Sequence, residues 1–225
     1  MKKFAGLVFL FVALAVSAQA QISIMPKFGL TFSTVSFSED VEDLFDLAGI
    51  DNQSKFGILG GAALNVGLND MFSIQPELLF IQKGTSYEQL GIELDFSLNY
   101  LEIPILARVA FGSDKIKGFV LAGPSLGIGL GGKAEISALG FSESIDIKFG
   151  DEDGSGDLFL DNRLDFGLQF GGGVSLKLGP GSVVLDARYG LGLTNWFEEE
   201  DLIDTESANR TFALSLGYMI PLGGN

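Results

Sequence analysis

The sequence predicts an all-β fold, an eight-stranded antiparallel up-and-down transmembrane β-barrel with long extracellular loops and short periplasmic turns. Large apolar residues alternate with small or polar ones along several segments, and successive side chains of a strand point to opposite faces. The weaker face carries Gly, Ala, Ser and isolated charges, which suits a crowded interior, while a continuous apolar band suits lipid. The connections alternate between long and short, as they do in outer-membrane barrels.

The segment from Arg210 to Leu222 shows the alternation most clearly. Its even positions from Phe212 to Leu222 are large and apolar, and its odd positions from Thr211 to Met219 are mostly small or polar. We therefore expect this segment to be the closing strand of the barrel and to pair with the first strand.

The same alternation predicts seven earlier strands. They cover residues 22–36, 55–68, 71–83, 96–111, 116–130, 160–178 and 182–196. Short turns are predicted at 69–70, 112–115 and 179–181, where Asn, Asp, Gly and Pro cluster. Longer loops are predicted at 37–54, 84–95, 131–159 and 197–208, and the first and last of these are acidic.

The N-terminus has the pattern of a secretory signal peptide. Lys2 and Lys3 precede an apolar core at residues 4–16, and Ala18-Gln19-Ala20 supplies a small-residue cleavage site. We expect cleavage between Ala20 and Gln21, which gives a signal peptide at 1–20 and a barrel domain at 21–225. The alternative, an anchored membrane helix, is disfavoured because the apolar run is short of the roughly 20 residues that such a helix needs.

Composition excludes several functional classes. The chain has no Cys and no His, which removes disulfides, thiolate catalysis, zinc–cysteine sites and the Ser–His and Asp–His pairs of most hydrolases. The formal net charge of −15 makes nucleic acid a poor partner. We therefore expect a protein that is not an enzyme and that has no cofactor.

Charged residues on the weaker face predict a cluster inside the barrel. A charge in a narrow lumen is costly unless it is paired, so we interpret this set as a salt-bridged structural plug. A proton or ion path is the alternative, although eight strands leave an interior about wide enough for side chains only. The predicted lumen residues are Lys27, Glu77, Glu102, Arg108, Asp161, Arg163, Asp165, Lys177, Asp186 and Arg188.

No catalytic, cofactor or metal site is predicted. Residues 151–157 are rich in Asp and Gly, but they fail the EF-hand pattern, because Gly154 is misplaced and no Glu closes the loop. This segment and the acidic run at 198–201 are interpreted as solvated loops, with weak divalent-ion binding near lipopolysaccharide as the alternative.

Three strand segments carry a family resemblance. Tyr100-Leu101-Glu102-Ile103-Pro104, Gly123-Pro124-Ser125-Leu126-Gly127 and Arg188-Tyr189-Gly190-Leu191-Gly192-Leu193 resemble the PorT-like outer-membrane β-barrel family. The resemblance covers the whole mature chain. It implies a barrel shaped like the small OmpA-type barrels, and it implies a link to protein secretion, in which the named member of that family is implicated.

These patterns together predict a non-enzymatic protein of the outer membrane of a Gram-negative bacterium, with a structural or interaction role. The expected partners are outer-membrane lipid, lipopolysaccharide and a protein that contacts the acidic external loops, and we expect the barrel to be a monomer. The alternatives are a narrow channel and a soluble lipocalin-like carrier of a hydrophobic ligand.

Overall fold

The computed structural model describes residues 21–37, 51–89, 91–138, 141–150, 157–160, 162–194 and 207–222. The described chain is built from β-strands. They are β1 Ile22–Phe37, β2 Asp51–Gly67, β3 Phe72–Gln89, β4 Ile92–Gly112, β5 Ile116–Ala138, β6 Phe141–Phe149, β7 Leu158–Leu160, β8 Leu164–Leu178, β9 Gly181–Gly192 and β10 Ser207–Pro221. Among the described residues, no helix has the length and apolar character needed to cross a membrane.

Eight of these strands close into an antiparallel ring. The order around the ring is β4-β3-β2-β1-β10-β9-β8-β5, and β5 pairs with β4 to complete it. The first strand pairs with the last, with Phe28 opposite Leu216 and Leu30 opposite Leu214. The predicted eight-stranded barrel and its closing strand are therefore confirmed.

Two predicted loops are wrong, because strands occupy them, and β2 also includes residues 51–54 of the predicted loop 37–54. Residues 84–95 belong to β3 and β4, which pair up to Gln89 and Ile92, and residues 131–159 contain the end of β5, all of β6 and part of β7. Strand β6 pairs antiparallel with β5, and β7 pairs parallel with β6. Charged residues interrupt the apolar alternation in these segments because they lie beyond the lipid-facing band, where a strand needs no apolar face.

The strands are longer than a membrane crossing requires. Strand β4 has 21 residues and β5 has 23, whereas roughly 9–11 residues span a bilayer. The excess forms a sheet that continues past the ring at the end where the connections are long. We call this the projecting sheet, made of residues 51–54, 84–89, 92–98, 131–138 and 141–147.

The opposite end of the barrel carries tight turns, and we call it the short-turn end. Asn69 accepts hydrogen bonds at its Oδ1 from the backbone N–H groups of Met71 and Phe72, at 2.9 and 2.8 Å. Gly179 closes another turn with a φ of 62°, a conformation that L side chains rarely adopt. Both described termini lie at this end, where the N–H of Leu222 donates to Ile22 O at 2.8 Å.

The two faces of each strand divide as predicted, with the small and polar face inside. Phe28 is 67% exposed on the outer surface, while its neighbour Lys27 is 5% exposed inside. Along β8, Phe166, Leu168 and Phe170 are exposed and the residues between them face inward. The outer surface is thus an apolar band that lipid can cover.

Candidate functional site

The centre of the lumen holds a buried ionic network around Arg188. Arg188 donates from Nη1 and Nη2 to the two carboxylate oxygens of Glu77, both at 2.8 Å, and from Nε to Asp186 Oδ1 at 2.9 Å. Lys27 Nζ lies 3.1 Å from Asp186 Oδ2 and 3.7 Å from Glu77 Oε2. We call Lys27, Glu77, Asp186 and Arg188 the Arg188 network. It joins β1, β3 and β9 across the lumen, and its two cations balance its two carboxylates.

A second buried network surrounds Lys83. Lys83 Nζ lies 2.9 Å from Glu102 Oε1 and 3.1 Å from Asp165 Oδ2. Asn209 donates from Nδ2 to Asp165 Oδ2 at 3.0 Å, and the Lys83 ammonium lies 5.1 Å from the centroid of the Tyr100 ring. We call Lys83, Glu102, Asp165 and Asn209 the Lys83 network. It joins β3, β4, β8 and β10.

A small cavity lies between the two networks. Its volume is about 30 Å³, and residues of both networks line it, so it has room for about two water molecules at 10–15 Å³ each. Several oxygens of its lining residues lack a hydrogen-bond partner among the described residues, and these acceptors suit ordered water. They are Glu102 Oε2, Asp165 Oδ1, Asn209 Oδ1 and Thr211 Oγ1.

Apolar layers lie on both sides of the networks. Toward the projecting sheet, one layer consists of Leu59, Ile81, Leu98, Tyr100, Ala134, Ile147 and Leu160. Toward the short-turn end, the other consists of Met25, Ala63, Leu106, Phe119, Leu121 and Val184. In the part of the lumen that the structure describes, ionic side chains and apolar layers thus occupy the centre of the interior, apart from the small cavity between the networks.

The structure brings most of the predicted lumen residues together. Those that form the two networks are Lys27, Glu77, Glu102, Asp165, Asp186 and Arg188. Arg108 is also buried, but among the described residues it forms no ion pair with either network; its guanidinium carbon lies 3.9 Å from the centroid of the Phe119 ring.

Two predicted lumen residues need correction, and a third is not described. Arg163 is exposed, because it precedes the start of β8 and strand alternation does not govern its direction; its Nε donates to Gly129 O at 3.0 Å. Lys177 faces inward as predicted, but it is exposed rather than buried, because it stands at the open short-turn end of β8. Asp161 lies outside the described residues.

Sequence reasoning missed Lys83 and Asn209. Lys83 has the same strand parity as Glu77, so its inward direction was visible in the alternation, but the predicted strand stopped there and its charge was not assigned to the lumen. Asn209 lies one residue before the predicted closing strand. Both residues lie in the lumen because β3 and β10 are longer than the apolar pattern indicates.

The acidic segments considered as weak ion sites, 151–157 and 198–201, lie outside the described residues except for Asp157, whose Oδ2 lies 2.6 Å from Lys148 Nζ. Within the part of the chain that is described, no three carboxylates gather into a group that could hold a metal ion.

Comparison with known proteins agrees with this architecture. Residues 17–198, more than half of the chain, match the family model described as outer membrane protein beta-barrel domain. No curated protein matches the chain.

Several solved structures are similar in fold. They include Ail, the attachment invasion locus protein of Yersinia pestis, solved with the heparin analogue sucrose octasulfate (17% identity, 90% of this chain and 100% of that chain, TM-score 0.41). They include Neisserial surface protein A (17% identity, 88% and 97%, TM-score 0.45). They also include the outer membrane protein OprG from Pseudomonas aeruginosa (11% identity, 90% and 97%, TM-score 0.49).

The closed antiparallel ring, its apolar outer band and the matched family model lead to one conclusion. The chain belongs to the outer membrane protein beta-barrel domain family and is an outer-membrane β-barrel protein.

Proposed function

We propose that this protein is a non-enzymatic interaction protein that binds a protein partner through its projecting sheet. The observation that carries the proposal is the length of β3, β4, β5 and β6 beyond the barrel. Because short turns face the periplasm in bacterial outer-membrane barrels, the projecting sheet faces the outside of the cell. A paired, ordered surface at this position is available to a partner without any change in the barrel.

The projecting sheet exposes apolar side chains outside the lipid band. Phe141 is 80% exposed, and Ile136 and Ile145 on the same face of the β5–β6 pair are 47% and 44% exposed. Large apolar residues exposed together in water mark interaction surfaces more often than isolated ones do.

The edge of β6 adds a second mode of contact. Residues 141–146 pair with β5 on one side, whereas β7 covers only residues 147–149 on the other. Among the described residues, no strand covers the outer edge of 141–146, and such an edge is a template for an added strand of a partner. We infer that the partner docks by strand addition beside Phe141 and Ile145.

The class of partner follows from the family resemblance. The resemblance to the PorT-like family supports a component of protein secretion or envelope assembly, and the acidic loops would extend the contact surface. Lipopolysaccharide would surround the apolar band on the outer leaflet, and the barrel would act as a monomer.

A non-enzymatic role is supported by the absence of His and Cys from the sequence and by the pairing of the buried carboxylates with cations. Glu77 is held by Arg188, and Glu102 is held by Lys83. Neither carboxylate therefore stands beside a nucleophile or a free proton acceptor, as general acid–base chemistry requires.

We expect a photo-crosslinking amino acid at Phe141 to give a discrete protein adduct in intact cells. The reason is that the Phe141 side chain is the most exposed large apolar group of the projecting sheet. The adduct is identified by gel mobility and mass spectrometry after irradiation.

The matched control carries the same amino acid at Leu216, a lipid-facing position of β10. If the two positions give the same adducts, or if Phe141 captures only lipopolysaccharide, the proposed protein contact is wrong.

The filled lumen opposes the alternative of a narrow channel. We expect the purified barrel to give no stable conductance steps in planar bilayers, because both ionic networks and both apolar layers occupy its axis. Regular single-channel steps from the wild-type barrel would contradict this expectation and support the channel.

The alternative of a soluble lipocalin-like carrier is wrong. The chain is an outer-membrane protein, and the centre of its interior holds ion pairs rather than an apolar ligand pocket.

A further inference from the structure

The short-turn end of the barrel opens into a vestibule of about 740 Å³. It is lined by the tight turns, by the two described chain ends and by the inward side chains nearest the short-turn end. Since the short turns face the periplasm, the vestibule is open to periplasmic solutes. A cavity of this size is within the range that accommodates small ligands.

The lining of the vestibule is basic although the protein is strongly acidic. Its cationic residues are Arg108, Lys115, Lys117 and Lys177, and its acidic residues are Asp70 and Asp114 on the turns. The chain as a whole carries a formal net charge of −15. The lumen opening therefore has the opposite sign to the rest of the molecule, which favours an anion there.

Arg108 lies at the inner end of the vestibule and lacks a direct counter-ion. It is 5% exposed, its Nε has no hydrogen-bond partner, and no ion pair joins it to a carboxylate among the described residues. By contrast, Lys27, Lys83 and Arg188 each have a carboxylate oxygen within 3.1 Å. The Phe119 ring stabilises the Arg108 charge but offers no acceptor for its N–H groups.

Further hydrogen-bond donors line the vestibule near Arg108. Ser73 lies opposite Arg108 on the neighbouring strand, and its Oγ accepts a hydrogen bond from Asn65 Nδ2 at 2.9 Å, which leaves its hydroxyl proton available. Lys117 of β5 lies opposite Gly112, four residues from Arg108 along β4, and lines the same vestibule. A guanidinium, an ammonium and a hydroxyl proton are the donors that bind phosphate oxygens in proteins.

We propose that the vestibule is a binding site for a soluble phosphate-bearing anion from the periplasm, with Arg108 as its central ligand. The anion would supply the missing counter-ion of Arg108, and Lys117 and Lys177 would add charge at the entrance. This site lies at the opposite end of the barrel from the projecting sheet and does not depend on the proposed partner.

The test uses the full folded barrel in maltoside micelles, titrated with inorganic phosphate. We expect a saturable shift of the Arg108 Nε–H resonance, and calorimetry gives the affinity. Loss of one charge-assisted hydrogen bond corresponds to about tenfold to hundredfold weaker binding, and this is the expected effect of Arg108→Gln.

Lys177→Gln keeps the experiment decisive if Arg108→Gln fails to fold, because Lys177 is exposed and its loss leaves the interior unchanged. We expect severalfold weaker phosphate binding in this variant. The matched control is Arg163→Gln, which removes an exposed Arg at the end of the barrel opposite the vestibule and should leave phosphate binding unchanged.

Three outcomes overturn the proposal. Phosphate binding that does not saturate, or that is equal in all variants, indicates an adventitious ion only. No shift of Arg108 in the folded wild-type barrel shows that the vestibule is simply solvated. The Arg108 resonance could instead shift in nanodiscs that contain phosphatidylglycerol, but not in nanodiscs of phosphatidylcholine alone and not with free phosphate. That result would identify a lipid headgroup as the ligand instead of a soluble anion.

Discussion

Replacing Arg188 with Met should destabilise the folded barrel by about 3–5 kcal/mol, the range for breaking a buried ion pair by removing one partner. Glu77 and Asp186 would then share the single cation Lys27. Both carboxylates are buried away from bulk water, and the small cavity beside them has room for about two water molecules, too few to replace the five N–H donors of the guanidinium. The measurement is urea unfolding of the barrel in phospholipid vesicles, with the folded fraction read from the gel mobility of unheated samples.

Arg163→Met is the control for the Arg188 variant. It makes the same chemical change at an exposed residue that precedes β8, and we expect a change within about 0.5 kcal/mol. Adding Glu77→Gln to Arg188→Met should restore part of the lost stability, because it removes a carboxylate that Arg188 no longer neutralises. Equal midpoints for Arg188→Met and Arg163→Met would show that the Arg188 network does not stabilise the barrel.

The sequence alone was sufficient to predict the ring because lipid imposes a strict condition on each strand. Every second residue of a spanning strand must be apolar, so the contrast between Phe28 and Lys27 assigns the outer and inner faces directly. The short turns at Asn69 and Gly179 were predictable for a similar reason, since few residues adopt the backbone conformations that tight turns require.

The projecting sheet was not predictable in the same way. Beyond the bilayer no face has to be apolar, and segments such as residues 84–89 and 141–147 mix charged and apolar side chains. These strands form because their backbone groups continue the pairing of the strands inside the membrane. A pattern that reflects lipid contact therefore ends where the lipid ends, and it predicts loops where the backbone is still paired.

Alternation also leaves the partners of each inward charge undetermined. It places Lys83, Arg108 and Arg188 on inner faces alike, but the register of neighbouring strands decides which carboxylate each one meets. Arg188 meets Glu77, which is 111 positions away in sequence, whereas Arg108 meets an aromatic ring. This register leaves Arg108 on the solvent side of the Arg188 network, at the inner end of the vestibule.

Replacing Leu214 with Arg on the apolar outer band should destabilise the barrel in vesicles by about 2–4 kcal/mol. This is the cost of an Arg on the lipid face near the bilayer midplane. Leu214 lies in the middle of β10, is 40% exposed on the outer surface, and pairs with Leu30 and Ala187. Urea unfolding in vesicles measures the loss.

Leu178→Arg is the matched control for depth, because Leu178 ends β8 at the short-turn end and is 58% exposed. An Arg there can reach the headgroups, so we expect a loss of about 0–1 kcal/mol. A similar loss for both variants would mean that the band does not follow the bilayer as described. A large difference between them locates the midplane near the level of Leu214, which places the projecting sheet and the vestibule on opposite sides of the hydrocarbon core.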